Sequence, residues 1–119
     1  MTSSIRVHRW DEITLEKVTE MISRKVVSGA RATLTQVYFK RGAMVPVHAH
    51  EAEQMTYVLQ GTLKYLVGGE DVIVREGEVL HVPGGVAHQA EALEDTFVLG
   101  VFSPPREGWL DEVDEDARV

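Results

Sequence analysis

The sequence predicts an all-β domain, an antiparallel sandwich or barrel, and three observations carry that reading. Short segments rich in Val, Leu, Tyr and Thr recur along the chain, and most alternate with a period of two residues. Glycines separate them in place of helix caps: Gly61, Gly77 and the pairs Gly68-Gly69 and Gly84-Gly85. Only one stretch has helical spacing.

That stretch comes first. Residues 13–22 invite a helical reading through Leu15, Val18 and Ile22 at i, i+3 and i+7. The run Ile22-Ser23-Arg24-Lys25-Val26 reads better as strand, so any helix is short or absent. Strands are then expected over 32–40, 44–50, 55–60, 62–67, 71–75, 79–82, 87–92 and 96–102. Val67-Gly68-Gly69-Glu70 joins two of them as a hairpin, since glycine supplies the positive φ that tight turns need. At this spacing short strands build a sandwich or barrel. The organisation expected is one domain: residues 1–30 as an N-terminal arm and strands packing on a barrel, 31–110 as the barrel, and 111–119 as an acidic, solvated tail.

Charge and composition exclude several functions. Twelve Lys+Arg against 19 Asp+Glu leave a formal net charge of −7, which argues against nucleic acid and anionic membrane as partners. There is no Cys, so disulfide scaffolds, thiol catalysis and cysteine zinc sites are out. No apolar run approaches the ~18 residues of a membrane helix, and Met1 to Trp10 does not read as a secretory leader. A cytoplasmic protein with a small-molecule partner is the expectation.

Five histidines carry the chemistry. His48 and His50 stand at i and i+2, which on a strand places both imidazoles on one face. A pair alone is weak, but the rest of the spacing adds to it. Gly42-x5-His48-x-His50-x3-Gln54-x6-Gly61 is followed by Gly77-x5-Pro83-x-Gly85-x2-His88, with 15 residues between the two motifs. In these two motifs the sequence resembles the cupin superfamily. The resemblance implies a jelly-roll β-barrel with a divalent transition metal (Zn, Ni, Mn or Fe) in its mouth, one per chain. Carried over by position, the ligands would be His48, His50, Gln54 and His88, with Gln54 where a Glu is usual. Three imidazoles and an amide are all neutral, so such a site keeps the full dication charge and favours an anionic ligand. The resemblance also implies a homodimer, and the apolar residues of 5–27 exceed what one barrel of this size must bury.

The segment Phe102-Ser103-Pro104-Pro105-Arg106-Glu107-Gly108-Trp109-Leu110 is similar to the tail of the pectin-degradation cupins of KdgF type. That likeness implies opening of unsaturated uronates to a linear keto form, with Phe102 walling the sugar site and Arg106 holding a carboxylate through its planar fork. One position departs: where that family carries a functional Asp, two residues before the Phe, this chain has Gly100. Acid–base work on an enol needs a titratable group within reach; His81, Glu53 or a metal-bound water are the candidates to replace it. Met44, Met55 and Tyr57 are expected in the core or cavity wall, and His8 at the surface. Three functions follow: a metal-dependent lyase or isomerase on a small anionic or keto/enol substrate, another metalloenzyme of dioxygenase or cyclase type, or a non-catalytic small-molecule binder.

Overall fold

Alternation and glycine turns translate into ten strands among the described residues. A computed structural model describes residues 5–105 of the chain. A single 3-10 turn at Trp10–Glu12 precedes β1 (Glu16–Lys17), β2 (Ile22–Ser28), β3 (Thr33–Phe39), β4 (Met44–His48) and β5 (Glu53–Gln60). Then follow β6 (Thr62–Val67), β7 (Glu70–Arg75), β8 (Val79–Val82), β9 (His88–Ala92) and β10 (Thr96–Ser103). All eight strands expected after residue 31 are present within two residues at each end. No helix forms over 13–22, in line with the expectation that any helix there is short or absent. Val18 N–H donates to Ile22 O at 2.8 Å and Thr19 Oγ1 accepts from Met21 N–H at 3.0 Å, closing a tight turn between β1 and β2.

The strands form two antiparallel sheets, ordered β1-β2-β3-β10-β5-β8 and β4-β9-β6-β7. From β3 onward the chain crosses repeatedly between them, and only the β6–β7 hairpin stays within one sheet. This is the jelly-roll arrangement of two packed antiparallel sheets. Ile22, Val37, Phe39, Val58, Val98 and Phe102 of the larger sheet pack with Val45, Leu63, Tyr65, Val74 and Ala90 of the smaller one in a single core. Gly61 shows how close the backbones come: its φ is +94°, and a Cβ there would sit 2.5 Å from Asp95 O. No other residue fits that turn.

The inward rows of the larger sheet place the site. On β10, residues 96, 98, 100 and 102 face the interior, and pairing aligns Phe102 with Thr33 and Gln54, then Gly100 with Thr35 and Thr56 one row deeper. Because Gln54 faces inward, Met55 and Tyr57 must face out; they are exposed, as is Met44, which corrects their assignment to core or wall. His8 is at the surface.

Candidate metal centre

β4 brings His48 inward by a device that alternation alone does not predict. From Val45, which is buried, strict alternation would turn residue 47 inward and 48 outward. Instead Val45 pairs with Ala90 and His48 with His88, so Pro46 and Val47 together oppose the single residue Gln89. That β-bulge reverses the phase: Val47 is exposed and His48 is buried. Pro46 is tolerated because β4 is a sheet edge and the bulge has no donor to supply at that point. His50 lies just beyond the end of β4, so the two histidines do not share a strand face as the i, i+2 spacing implied. They converge because the chain turns after the bulge.

His48, His50 and His88 form one cluster, with a ring nitrogen of each within 4.8 Å of the others. Their ring centroids are 4.4–5.3 Å apart. All three are oriented in the same way from behind. Each Nδ1 meets the backbone carbonyl two residues away: Pro46 O at 3.0 Å, Ala52 O at 2.8 Å and Val86 O at 2.9 Å. A carbonyl only accepts, so each Nδ1 carries the proton and Nε2 presents its lone pair to the cluster. This is how proteins orient imidazoles for a metal. Phe102 is buried against the His50 ring, edge-on at 5.7 Å, and fixes it from the barrel side.

Gln54 lies beside the cluster. Its Oε1 lies 3.1 Å from His50 Nε2, and its Nε2 donates to Thr56 Oγ1 at 2.8 Å. At that distance either a proton on His50 Nε2 or a cation shared by the two atoms bridges them. Donors sharing an ion through bonds of about 2.1 Å at right angles stand about 3 Å apart, so the spacing fits a shared metal. The residues present therefore match the chemistry of a divalent ion with imidazole and amide donors.

Below the cluster is a narrow cavity of about 20 Å³, space for about one water. Thr35, Thr56, Tyr65 and Gly100 line it, together with apolar residues from both sheets. Thr35, Thr56 and Tyr65 were not singled out from the sequence. The signal was there, in polar residues at inward-facing parity, but it needed the facing of each strand. Burial pushes the Tyr65 phenol up to about 12, against a smaller downward effect of its hydrogen bond with Thr56. No Asp or Glu lines this cavity among the described residues.

Gly100 does lie in the cavity wall, one row below Gln54. His81 and Glu53 do not replace it. They sit on the outer face of the larger sheet, where His81 Nε2 contacts Glu53 Oε2 at 2.6 Å. The parity of β5 and β8, which turns Gln54 and Val82 inward, turns both of them out. Arg106 and the 111–119 tail lie outside the described residues.

Comparison with known proteins agrees with this architecture. The family model described as a cupin domain matches residues 35–102, more than half of the chain. The pectin degradation protein KdgF of Dickeya dadantii (strain 3937) is 29% identical over 103 residues, covering 84% of this chain and 94% of that protein. The solved structure of KdgF from Halomonas sp. is 34% identical, covers 85% of this chain and 96% of its own, and superposes with a TM-score of 0.78. An RmlC-like cupin from Shewanella frigidimarina NCIMB 400 is 25% identical and covers 92% of this chain and 99% of its own, with a TM-score of 0.82.

Proposed function

Because this chain belongs to the cupin domain family, we propose that it is a metal-dependent lyase or isomerase acting on a small anionic, sugar-acid-like or keto/enol substrate at the barrel mouth. His48, His50, His88 and Gln54 would hold one divalent transition metal. The observation that carries this reading is the common orientation of the three imidazoles, each tied at Nδ1 to a backbone carbonyl. A bound dication would act there as a Lewis acid toward a ligand oxygen. The chain's own residues do the rest. The neutral donors leave the ion's charge for an anion, Phe102 closes the site behind His50, and the narrow cavity keeps bulk water from beneath it. Arg106 is the proposed carboxylate clamp. The likeness to two proteins named KdgF, one called a pectin degradation protein, supports a sugar-acid substrate.

A non-catalytic binder is the second reading, and Gly100 favours it. Apart from the histidines, Tyr65 is the only titratable side chain lining the described cavity, and its raised pKa holds its proton at neutral pH. Assembly as a homodimer in the cytoplasm completes the proposal. The test is to load the purified chain with Zn²⁺, Ni²⁺ or Mn²⁺, measure metal content, and assay unsaturated uronates and β-diketones with and without oxygen. Turnover without oxygen supports the lyase or isomerase. Oxygen consumption replaces it with a dioxygenase, and saturable binding without product replaces it with the binder.

A further inference from the structure

Positive charge is scarce at the end of the barrel where an anionic ligand would enter. That mouth is the end at which Phe102 pairs with Thr33 and Gln54, and His48 with His88. Among the basic residues on β2 to β10 and their connections, Lys40, Arg41 and Arg75 sit at the opposite end, by the rows of Phe39, Thr96 and Thr62. Arg24, Lys25 and Lys64 lie midway along the strands, opposite Val37, Gln36 and Glu91. Arg31 alone of this set is at the mouth, in the β2–β3 loop beyond the Ser28–Thr33 pair.

The loop fixes the base of that side chain. Gly29 N–H donates to Ala32 O at 2.8 Å and closes the hairpin, while the Ser103 hydroxyl donates to Arg31 O at 2.8 Å and ties it to the end of β10. Next to Ser103 is Phe102, whose ring lies against His50. Arg31 is two residues from Thr33, the strand neighbour of Phe102, so its Cα is at most about 7 Å beyond that row. An arginine stem spans about 6 Å, enough for a guanidinium based there to reach a ligand seated on the cluster. The flanking Gly29, Ala30 and Ala32 are small and leave the space open. Arg31 is exposed and makes no ion pair among the described residues. Glu53, opposite Ser103 on β5, is already engaged by His81 at 2.6 Å.

We propose that Arg31 is a ligand-binding residue: its guanidinium holds a carboxylate of the ligand at the mouth and makes the site select acids over neutral molecules. A planar, permanently charged fork suits a carboxylate. Holding the loop in place beforehand reduces the entropy lost when the side chain closes on the ligand. In a chain of net charge −7 it also supplies local attraction for an anion. The inference rests on the sugar-acid reading above and deepens it, with a cation separate from the clamp proposed at Arg106.

The test is calorimetric titration of the Zn²⁺-loaded full chain with D-galacturonate and with D-galactose, its neutral counterpart. The unaltered chain should prefer the acid. Both bonds that hold the loop use its backbone, so Arg31→Ala leaves them in place. That substitution should weaken galacturonate binding about tenfold, as expected for losing a hydrogen bond between charged groups, with Zn²⁺ content and galactose binding as before. Arg31→Lys keeps the charge but not the fork, and should fall between the alanine variant and the unaltered chain. Unchanged galacturonate affinity in Arg31→Ala, or an equal loss for both sugars, would overturn this inference alone. A Zn²⁺-loaded unaltered chain with no preference for the acid would overturn the sugar-acid reading and this inference with it. A chain that takes up no Zn²⁺ would overturn the metal reading as well.

Discussion

The hydroxyl of Thr35 fills the space that a side chain on Gly100 would take. A Cβ built on Gly100 would stand 2.8 Å from Thr35 Oγ1, and that hydroxyl donates to Gly100 O at 3.3 Å. The missing carboxylate and the neighbouring threonine are thus one feature, a neutral hydroxyl lodged where an acid would enter the cavity. Gly100→Asp alone should destabilise the chain by about 1–3 kcal/mol, the usual cost of overpacking a core. Gly100→Asp with Thr35→Ala should recover most of that stability in urea unfolding. If the site is a uronate lineariser short of its acid, the double variant should also raise turnover above that of the unaltered chain. A Gly100→Asp variant as stable as the parent would show that Thr35 does not fill the space.

Protons and a metal held by this cluster would compete for the same three nitrogens. A ligating imidazole must be neutral at Nε2, so bound metal should be released as the solution is acidified. His48→Ala with His88→Ala should reduce metal content from about one ion per chain to background at any pH. Metal analysis after dialysis across pH 5 to 8 measures both effects. Metal content unchanged by the double substitution would place the ion elsewhere.

How far the sequence shows this site is clearest at His48 and His88. Strands from 33 onward could be read because valine, leucine and threonine alternate in them, and glycines mark their turns. The meeting of His48, His50 and His88 was expected from the family resemblance that the two motifs carry. The route by which they meet was not, since a bulge at Pro46 and Val47 leaves no mark in composition and only pairing with β9 reveals it. The facing of Met55 and Tyr57 was missed because an apolar residue on a two-sided sheet suits either face. Thr56 and Tyr65 come from different sheets yet line one cavity, and no local pattern encodes which inward residues meet across a core. At 18–22 the apolar spacing would fit a helix, but the strand-like run from Ile22 outweighs it, and the chain turns there to dock β1 beside β2.

Tyr65 makes stability sensitive to alkali. Its phenol is raised from 10.0 to about 12 by burial. In the unfolded chain it ionises near 10. Below that pH both states hold the proton and the folded state keeps its full advantage. Above it the unfolded chain loses the proton first, so stability should decline as pH rises from about 10 to 12. A shift of two pKa units corresponds to a total of about 2–3 kcal/mol. Tyr65→Phe should flatten this part of the profile relative to the parent in urea unfolding at pH 9 and 11.5. Parallel declines in the two proteins would assign the effect to other groups.

The outer face of the larger sheet is the proposed site of dimerisation. Met55 pairs with Val101 on one side and His81 on the other, and Tyr57 lies between Leu99 and Val79. Met55 is 48% exposed and Val79 58%, on a surface that also carries the stacked rings of Tyr38 and Phe97 at 4.4 Å. An apolar stripe of this kind, bordered by the His81–Glu53 pair, suits a two-fold, self-complementary contact. Sedimentation at about 10–50 µM, well above the dissociation constant of a stable interface, should give the mass of two chains. Val79→Glu with Val101→Glu should give one chain, because the two-fold axis would bring four buried, unpaired carboxylates into one contact. The substituted positions face solvent in the isolated chain, so its own fold and metal content should be unchanged. A one-chain mass for the unaltered protein, or a dimer that survives both substitutions, would take the interface away from this sheet.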